Sequence, residues 1–348
     1  MVIFSGIQPT GRKHLGNYIG AIIHYVAGQE RADPAIYCVV DLHATTVAYD
    51  PAELRELTKD TAAILLAAGL DPERCILFRQ SDVQEHTELT WLLSSVIPVG
   101  ELNRMHQFRD KSASQREMVS ASLLFYPALM AADVLAYRAD EVPVGEDQRE
   151  HLELMRDAAT RFNARFGDVL VVPEQRTPAV GARIRDLQDP ERKMSTTGGT
   201  EAGTVYVLDE PDDIRRKFKR AVADSGREVL RAPDKPGISN MIEIMAVARG
   251  VPPEQIEREF EGRGYGEFKP AVAEAVVDWL TPVRERYAEL RAGEGELERI
   301  LESGADRARA IASETLAEVR DVMGVGPPAP RRGARDRPRL GRSVGPPA

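Results

Sequence analysis

Over residues 1–205, short apolar runs alternate with longer helix-like segments. Residues 2–4, 35–40 and 75–78 have the composition of β-strands, and the last two runs are almost continuously apolar. Continuous apolar runs are typical of parallel strands that are buried on both faces. The segment 51–68 favours a helix, which Gly69 would end. This alternation predicts an α/β fold with a doubly wound parallel sheet, in which ligands bind beyond the carboxyl ends of the strands.

The pattern changes after residue 205, where strand signals fade and charged, helix-forming segments continue to residue 323. We therefore predict an α/β domain over residues 1–205 and a helical domain over residues 206–323, with a last helix that can pack back on the first domain. Residues 324–348 are dominated by glycine, proline and arginine, without apolar periodicity. Such a segment buries too little apolar surface to order itself, so we predict a disordered tail.

Composition indicates where the protein works. Its 43% hydrophobic and 29% charged residues are ordinary for a soluble globular protein. No apolar run approaches the roughly 20 residues of a membrane-spanning helix, and the N-terminus lacks the pattern of a secretory signal. Cys38 and Cys75 lie in apolar, strand-like runs, and neither has a histidine at metal-ligand spacing. We expect two buried thiols, no metal held by the protein, no contact with a membrane and a cytoplasmic location.

Taken over the whole protein, the net charge of -9 argues mildly against nucleic-acid binding. A local basic stripe is sufficient for such binding, however, and residues 215–220 provide one on a helix-like segment. Arg215, Arg216, Lys219 and Arg220 are the candidate contacts. A solvated helix face explains the same run equally well.

The segment 5–17 carries the strongest signal for a binding site. It joins a strand-like run to a helix-like run and contains Gly6, Gly11 and Gly16. The start of a helix offers free N–H groups and a positive dipole end, and glycines allow a ligand to approach the backbone. His14 and Asn17, three residues apart, can share one helical face. The segment predicts an anion-binding turn, although neither a Walker motif nor a G-x-G-x-x-G fingerprint is present.

A second candidate region is the apolar segment 123–135. Tyr126, Met130 and Asp133 have the spacing i, i+4, i+7, so a helix would place them on one face, with Pro127 in its first turn. A carboxylate in such a segment should be buried and needs donors. Asp133 is either an internally hydrogen-bonded structural residue or the acceptor for a ligand in a pocket.

Two further segments contain candidate polar groups. Residues 142–148 repeat the strand–glycine–helix pattern, with Asp147 and Gln148 in the first helical turn, as helix caps or as ligands of a ribose. Between Asp189-Pro190 and Gly198-Gly199 lies a lysine loop, residues 192–197, which carries cations followed by hydroxyl groups. Such a loop can close over a polyphosphate, or it can be an ordinary solvated turn.

Together these segments resemble the class I aminoacyl-tRNA synthetases, and within them the bacterial tryptophan-specific branch. His14-Leu15-Gly16-Asn17 resembles the HIGH signature, and residues 193–197 (KMSTT) resemble the KMSKS signature. The stretches GELNRMHQF, MAADVLAYRADEVPVGEDQREHLEL and PGISN match the same branch. The resemblance covers about residues 1–323 and implies a Rossmann-like catalytic domain followed by a helical anticodon-binding domain.

The resemblance implies activation of tryptophan with Mg²⁺-bound ATP, transfer of tryptophan to its tRNA, and a homodimer. The implied catalytic residues are His14, Asn17, Lys111, Lys193 and Ser195. The implied ATP site contains Gln8, Pro9, Thr10, His14, Gly16, Asn17, Gly145, Asp147, Gln148, Lys193, Met194, Ser195, Thr196 and Thr197. The implied tryptophan site contains Phe4, His43, Tyr126, Met130, Asp133, Val142, Val144 and Gln148.

Specific roles follow from the same resemblance. Asp133 would accept the indole N–H, Tyr126 and Gln148 would bind the α-ammonium group, and His43 would lie on the carboxylate side. Asp147 would hold the ribose, and Lys193, Ser195 and Lys111 would contact the phosphates.

One departure concerns the lysine loop, where Thr196 replaces the usual second lysine. Lys193 should then carry an unusually large share of the charge neutralisation. A tyrosyl-tRNA synthetase and a noncatalytic paralogue of the synthetases remain the alternatives.

Overall fold

The structure, a computed structural model, describes residues 1–106, 108–109, 119–143, 148–176, 184–195 and 199–327. Its strands are β1 (Ile3–Ile7), β2 (Ala35–Val39), β3 (Cys75–Arg79), β4 (Glu141–Pro143) and β5 (Glu174–Arg176). The helices before residue 200 are α1 (Leu15–Asn17), α2 (Ile23–Gly28), α3 (Asp41–Ala44), α4 (Pro51–Ala67), α5 (Glu85–Leu93), α6 (Val99–Arg104), α7 (Ala121–Leu135) and α8 (Arg149–Phe166). A π-helical turn, Tyr18–Ile22, joins α1 to α2.

The five strands form one sheet in the order β3-β2-β1-β4-β5, and every pairing is parallel. This confirms the predicted parallel α/β sheet. The first strand is longer than the sequence indicated, because Ser5, Gly6 and Ile7 pair with β2 instead of beginning the turn. The short strand β5 comes just after the apolar run 169–172 and was not predicted.

Strand β2 shows why its sequence has no alternation. Ala35, Tyr37 and Val39 belong to the hydrophobic core on one side of the sheet. Ile36 and Cys38 belong to the core on the other side. Because helices cover both faces of the sheet, apolar side chains are favoured at consecutive positions.

Beyond residue 205 the described chain is helical, as the sequence indicated. The helices are α9 (Pro211–Arg220), α10 (Pro236–Arg249), α11 (Pro253–Glu259), α12 (Tyr265–Ala292) and α13 (Glu294–Met323). Helix α13 returns to the sheet and packs on β3, where Arg307 donates to the carbonyl oxygen of Cys75 at 3.0 Å. Gly324, with φ of 70°, ends this helix. Most of the predicted disordered tail, residues 328–348, lies outside the described residues.

Two predictions from composition are addressed by the described part of the chain. Cys38 and Cys75 are buried, free thiols. Within the described ranges, no helix is both long enough and apolar enough to cross a membrane.

Candidate active site

A cavity of about 320 Å³ lies where β1 ends and α7 passes across the sheet. Nine residues from the predicted sites line it: Phe4, Gln8, Asn17, His43, Tyr126, Met130, Asp133, Val142 and Gln148. Residues that the sequence did not indicate also line it, among them His24, Tyr25 and Val40. The cavity therefore lies at the carboxyl end of β1, where a ligand site is expected in such a sheet.

The three glycines of the opening segment have two different roles. Gly11 has φ of 63°, a left-handed conformation that favours glycine. A Cβ atom on Gly6 would come within 2.9 Å of Val40 Cγ1, and one on Gly16 would come within 3.0 Å of the His14 ring. Only Gly11 serves the turn, and the other two allow close packing around the site.

His14 and Asn17 form a reciprocal cap at the start of α1. The backbone N–H of Asn17 donates to His14 Nδ1 at 3.3 Å, and the N–H of His14 donates to Asn17 Oδ1 at 3.1 Å. Burial, followed by the positive charges of Lys13 and Lys193, lowers the pKa of His14 to about 4. His14 is therefore neutral at pH 7, which its role as a hydrogen-bond acceptor at Nδ1 requires.

Lys13 is a residue that the sequence analysis missed. Its ammonium points inward, where it donates to the carbonyl oxygens of Gln8 at 2.8 Å and Gly11 at 3.4 Å. Burial, partly offset by Asp60, lowers its pKa to about 8. A lysine beside exposed Arg12 gives no sequence signal of burial, so only the folded turn identifies Lys13 as a buried cation beneath the candidate phosphate site.

The lysine loop lies against the opening segment. Lys193 forms an antiparallel bridge with Arg185, and Met194 is 1% exposed, which anchors the loop in the core. After the loop, Val205 accepts from the N–H of Leu15 at 2.8 Å. The segment that follows the loop is thus bonded to the opening segment, and the side chain of Lys193 is exposed.

Asp133 is buried at the floor of the cavity and carries three hydrogen bonds from described residues. Oδ1 accepts from Gln80 Nε2 at 2.6 Å and from His86 Nδ1 at 2.6 Å, and Oδ2 contacts His43 Nε2 at 2.8 Å. Burial alone would raise the pKa of Asp133, but the hydrogen bonds from the two histidines hold it well below its usual range. Asp133 is therefore an ionised acceptor. Gln80 and His86 were not predicted.

Helix α7 presents Tyr126, Met130 and Asp133 to the cavity, as their spacing predicted. The expected position of Pro127 was wrong: Ser120 caps the helix by accepting from the N–H of Leu123, so Pro127 lies inside the helix. The hydroxyl of Tyr126 is 2.7 Å from His151 Nε2, which fixes the ring at the cavity wall.

Some predicted site residues lie elsewhere or are not described. Pro9, Thr10, Gly16, Lys193, Met194 and Ser195 are described but do not line the cavity. Lys111, Val144, Gly145, Asp147, Thr196 and Thr197 lie outside the described residues.

The predicted basic stripe is helix α9. Arg215 pairs with Glu274 and Asp212, and Arg216 pairs with Asp213. Lys219 and Arg220 are exposed and have no acidic partner among the described residues. Part of the positive charge of this helix is thus already neutralised.

Comparison with known proteins places this geometry in a family. Residues 1–281 match the model for tRNA synthetases class I (W and Y). The tryptophan–tRNA ligase of Wolinella succinogenes is 49% identical over 323 residues, which cover 93% of this chain and 98% of the relative.

Solved structures of tryptophanyl-tRNA synthetases are also similar to this chain. The tryptophanyl-tRNA synthetase of Mycoplasma pneumoniae has a TM-score of 0.86 at 35% identity and covers 93% of this chain and 98% of its own. The Campylobacter jejuni synthetase, solved with ADP and tryptophan, has a TM-score of 0.81 at 32% identity, covering 93% of this chain and 100% of its own. Because both the family model and the relatives match most of its length, the chain belongs to the class I tRNA synthetases of the tryptophan and tyrosine group.

Proposed function

We propose that this protein is a tryptophan–tRNA ligase, which activates tryptophan with ATP and transfers it to tRNA. The observation that carries the proposal is the buried, ionised Asp133 in a largely apolar cavity, directly beside the opening segment. An indole ring requires an apolar cavity with one acceptor for its N–H. The tryptophan–tRNA ligases that are about half identical to this chain support the same assignment.

In this proposal Phe4, Met130 and Val142 pack against the indole ring, and Asp133 accepts its N–H. Tyr126 and Gln148 also line the cavity, and they would bind the α-ammonium group. A site built around a hydrogen bond rejects ligands that lack the donor by as much as about 10⁴–10⁵. Val144, which the resemblance also assigns to this site, remains a prediction.

ATP would bind over the opening segment as its Mg²⁺ complex. Gln8, His14 and Asn17 would contact it from the opening segment, and Lys193 and Ser195 from the lysine loop. Asp147 and Lys111 remain predicted contacts. Mg²⁺ would arrive on the substrate phosphates, and we propose no metal site held by the protein itself.

The reaction requires alignment and charge neutralisation and no catalytic base. A carboxylate oxygen of tryptophan attacks the α-phosphorus, an O–P bond forms, and the bond to the bridging oxygen breaks, which releases pyrophosphate with the electron pair. Lys193 and the N–H groups at the start of α1 would stabilise the developing negative charge. A terminal hydroxyl of the tRNA then attacks the activated carbonyl, and AMP leaves.

The remaining assignments concern partners. We propose that tRNA contacts helix α9, that the protein forms a homodimer, and that it works in the cytoplasm. The exposed Lys219 and Arg220 support the first of these assignments. The second is supported by a large exposed apolar residue, Trp91, on α5.

Pyrophosphate exchange into ATP tests the proposed activity. Purified protein is incubated with labelled pyrophosphate, ATP and either tryptophan or tyrosine. Exchange that depends on tryptophan supports the proposal. Exchange that depends on tyrosine indicates the tyrosine branch, whose phenolic hydroxyl would also donate to Asp133, and no exchange with either amino acid indicates a noncatalytic paralogue.

A further inference from the structure

A chain of buried polar groups lies behind the cavity, and the reaction as described above does not use it. His86 and Gln80 are fully buried, and neither lines the cavity. His86 Nδ1 is 2.6 Å from Asp133 Oδ1, and its Nε2 is 2.6 Å from the hydroxyl of Tyr137. Gln80 Nε2 donates to the same Oδ1 at 2.6 Å, and its Oε1 accepts from the N–H of Leu42 at 3.1 Å.

The direction of the hydrogen bond between His86 and Asp133 is fixed. An ionised Asp133 is only an acceptor, so His86 must carry its proton on Nδ1. Burial raises the pKa of Tyr137 well above its ordinary value, so its hydroxyl stays protonated, 2.6 Å from His86 Nε2. The ring of Tyr137 stacks on Phe4 at 5.4 Å between centroids, and Phe4 lines the cavity. His86 and Tyr137 thus contact both the acceptor Asp133 and, through Phe4, the apolar wall of the site.

The buried polar groups leave few acceptor positions free on Asp133. A carboxylate has about four acceptor positions, two on each oxygen. Among the described residues, Gln80 and His86 occupy both positions on Oδ1, and His43 occupies one on Oδ2. His43 lines the cavity, whereas the two partners of Oδ1 do not, so Oδ2 is the oxygen on the cavity side. One acceptor position remains there, which matches a ligand with a single ring N–H.

We propose that His86 is a positioning residue that sets specificity for the ring N–H of the amino-acid substrate: together with Gln80 it holds Asp133 Oδ1 and leaves one acceptor position on Oδ2. The inference rests on the proposed role of Asp133 as the indole acceptor. His86 acts through Asp133 and touches no substrate. Without its Nδ1–H, only Gln80 and His43 hold the carboxylate, so it is fixed less firmly, and water or a different donor can occupy the acceptor position.

Two variants of His86 distinguish the roles of its two ring nitrogens. His86→Asn retains an amide N–H near the position of Nδ1, and His86→Gln retains one near the position of Nε2. For each variant, kcat/KM in pyrophosphate exchange is measured with tryptophan and with the isosteric analogue in which sulfur replaces the ring N–H. The ratio of the two values is the discrimination. Asp133→Asn serves as the reference for loss of the acceptor, and thermal unfolding verifies that each variant is folded.

We expect His86→Gln to lower the discrimination roughly tenfold or more, because a hydrogen bond to a charged group is lost, and His86→Asn to stay close to the wild type. The fall should come from tryptophan, with the analogue little changed. Unchanged discrimination in both variants, or an equal loss for both substrates, overturns the proposal for His86. If Asp133→Asn also keeps the full discrimination, the proposed indole contact itself is wrong. Should His86→Gln not fold, Gln80→Met, which removes the other donor to Oδ1, must lower the discrimination or the proposal fails.

Discussion

Lys13 and His14 are neighbours in the sequence and are both buried, yet they carry different charges at pH 7. Burial lowers the pKa of Lys13 to about 8 and that of His14 to about 4. Loss of solvation disfavours the charged form of both groups, but lysine starts from a much higher value and stays protonated. The result is one cation and one neutral acceptor beneath the same turn.

Lys13→Met should reveal the buried cation through the pH profile. Above pH 8 the wild-type ammonium loses its proton, so kcat/KM for ATP in pyrophosphate exchange should fall as pH rises through about 8. The variant should be lower by roughly tenfold at pH 7, consistent with the ~1.5 kcal/mol of a hydrogen bond made by a charged group. In the variant, kcat/KM for ATP should not fall as pH rises through about 8. A variant that keeps the wild-type fall would show that another group titrates.

Lys193→Ala tests the share of charge neutralisation that falls on this residue. Because Thr196 stands where the family has a second lysine, we expect single-turnover adenylate formation to fall by about 10²–10³-fold. Tryptophan binding should change little. The matched control is Arg192→Ala, whose guanidinium is held by Asp189 at 3.1 Å and is expected to contribute little. A nearly unchanged rate in Lys193→Ala would remove it from the catalytic residues.

At the scale of elements, the contact between helix α13 and strand β3 depends on Gly304. A Cβ atom at this position would overlap the carbonyl oxygen of Leu77, which belongs to the backbone of the strand and cannot rotate away. The apolar periodicity of the helix indicated a buried face. We expected that the last helix can pack back on the first domain, but the periodicity did not indicate which of its residues would contact strand β3.

Gly304→Ala should therefore lower the free energy of unfolding, measured in urea, by about 1–3 kcal/mol or more through overpacking. Gly295→Ala, in the same helix, is the matched control, because nothing lies within 4 Å of its added Cβ. The control should be neutral or slightly stabilising, since alanine favours a helix by up to about 1 kcal/mol. Equal shifts in both variants would contradict this account of the helix–sheet contact.

In helix α9, acidic neighbours neutralise part of the positive charge that the sequence indicates for tRNA binding. Replacing Arg216 and Lys219 by Gln together should reduce the slope of log tRNA affinity against log salt by roughly 1–2, if both contact phosphates. Because Arg216 is already paired with Asp213, the larger share should come from Lys219. A matched pair, Arg286→Gln with Arg309→Gln on α12 and α13, should leave the slope unchanged. If the α9 double variant also leaves it unchanged, this helix is not part of the tRNA surface.

At the scale of the whole molecule, large apolar side chains are exposed on α7 and on α5 and α6, which both pack against it. Trp91 on α5 is 73% exposed, Val99 on α6 is 61% exposed, and Phe125 on α7 is 36% exposed. Exposed aromatic groups are typical of protein–protein contacts. They support the proposed homodimer at this surface.

Analytical ultracentrifugation tests that surface. The wild type should sediment at twice the chain mass of 38.4 kDa, and Trp91→Glu should shift it toward the monomer. Val322→Glu, at a half-exposed apolar position on α13, should remain dimeric. A monomeric wild type, or a Trp91→Glu variant that still dimerises fully, would contradict the assignment.

The sequence alone determined the parallel α/β class, the later helices and the two candidate anion-binding segments, because these depend on periodicity and on local turn chemistry. It also placed Tyr126, Met130 and Asp133 on one face, since helical spacing is a local property. Only the tertiary structure decided that Lys13 is buried, that Gln80 and His86 surround Asp133, and that the segment after the lysine loop is bonded to the opening segment. Those contacts join residues from different elements, and the free energy of burying a charge or filling a lone pair depends on the groups that meet there, which no local pattern specifies.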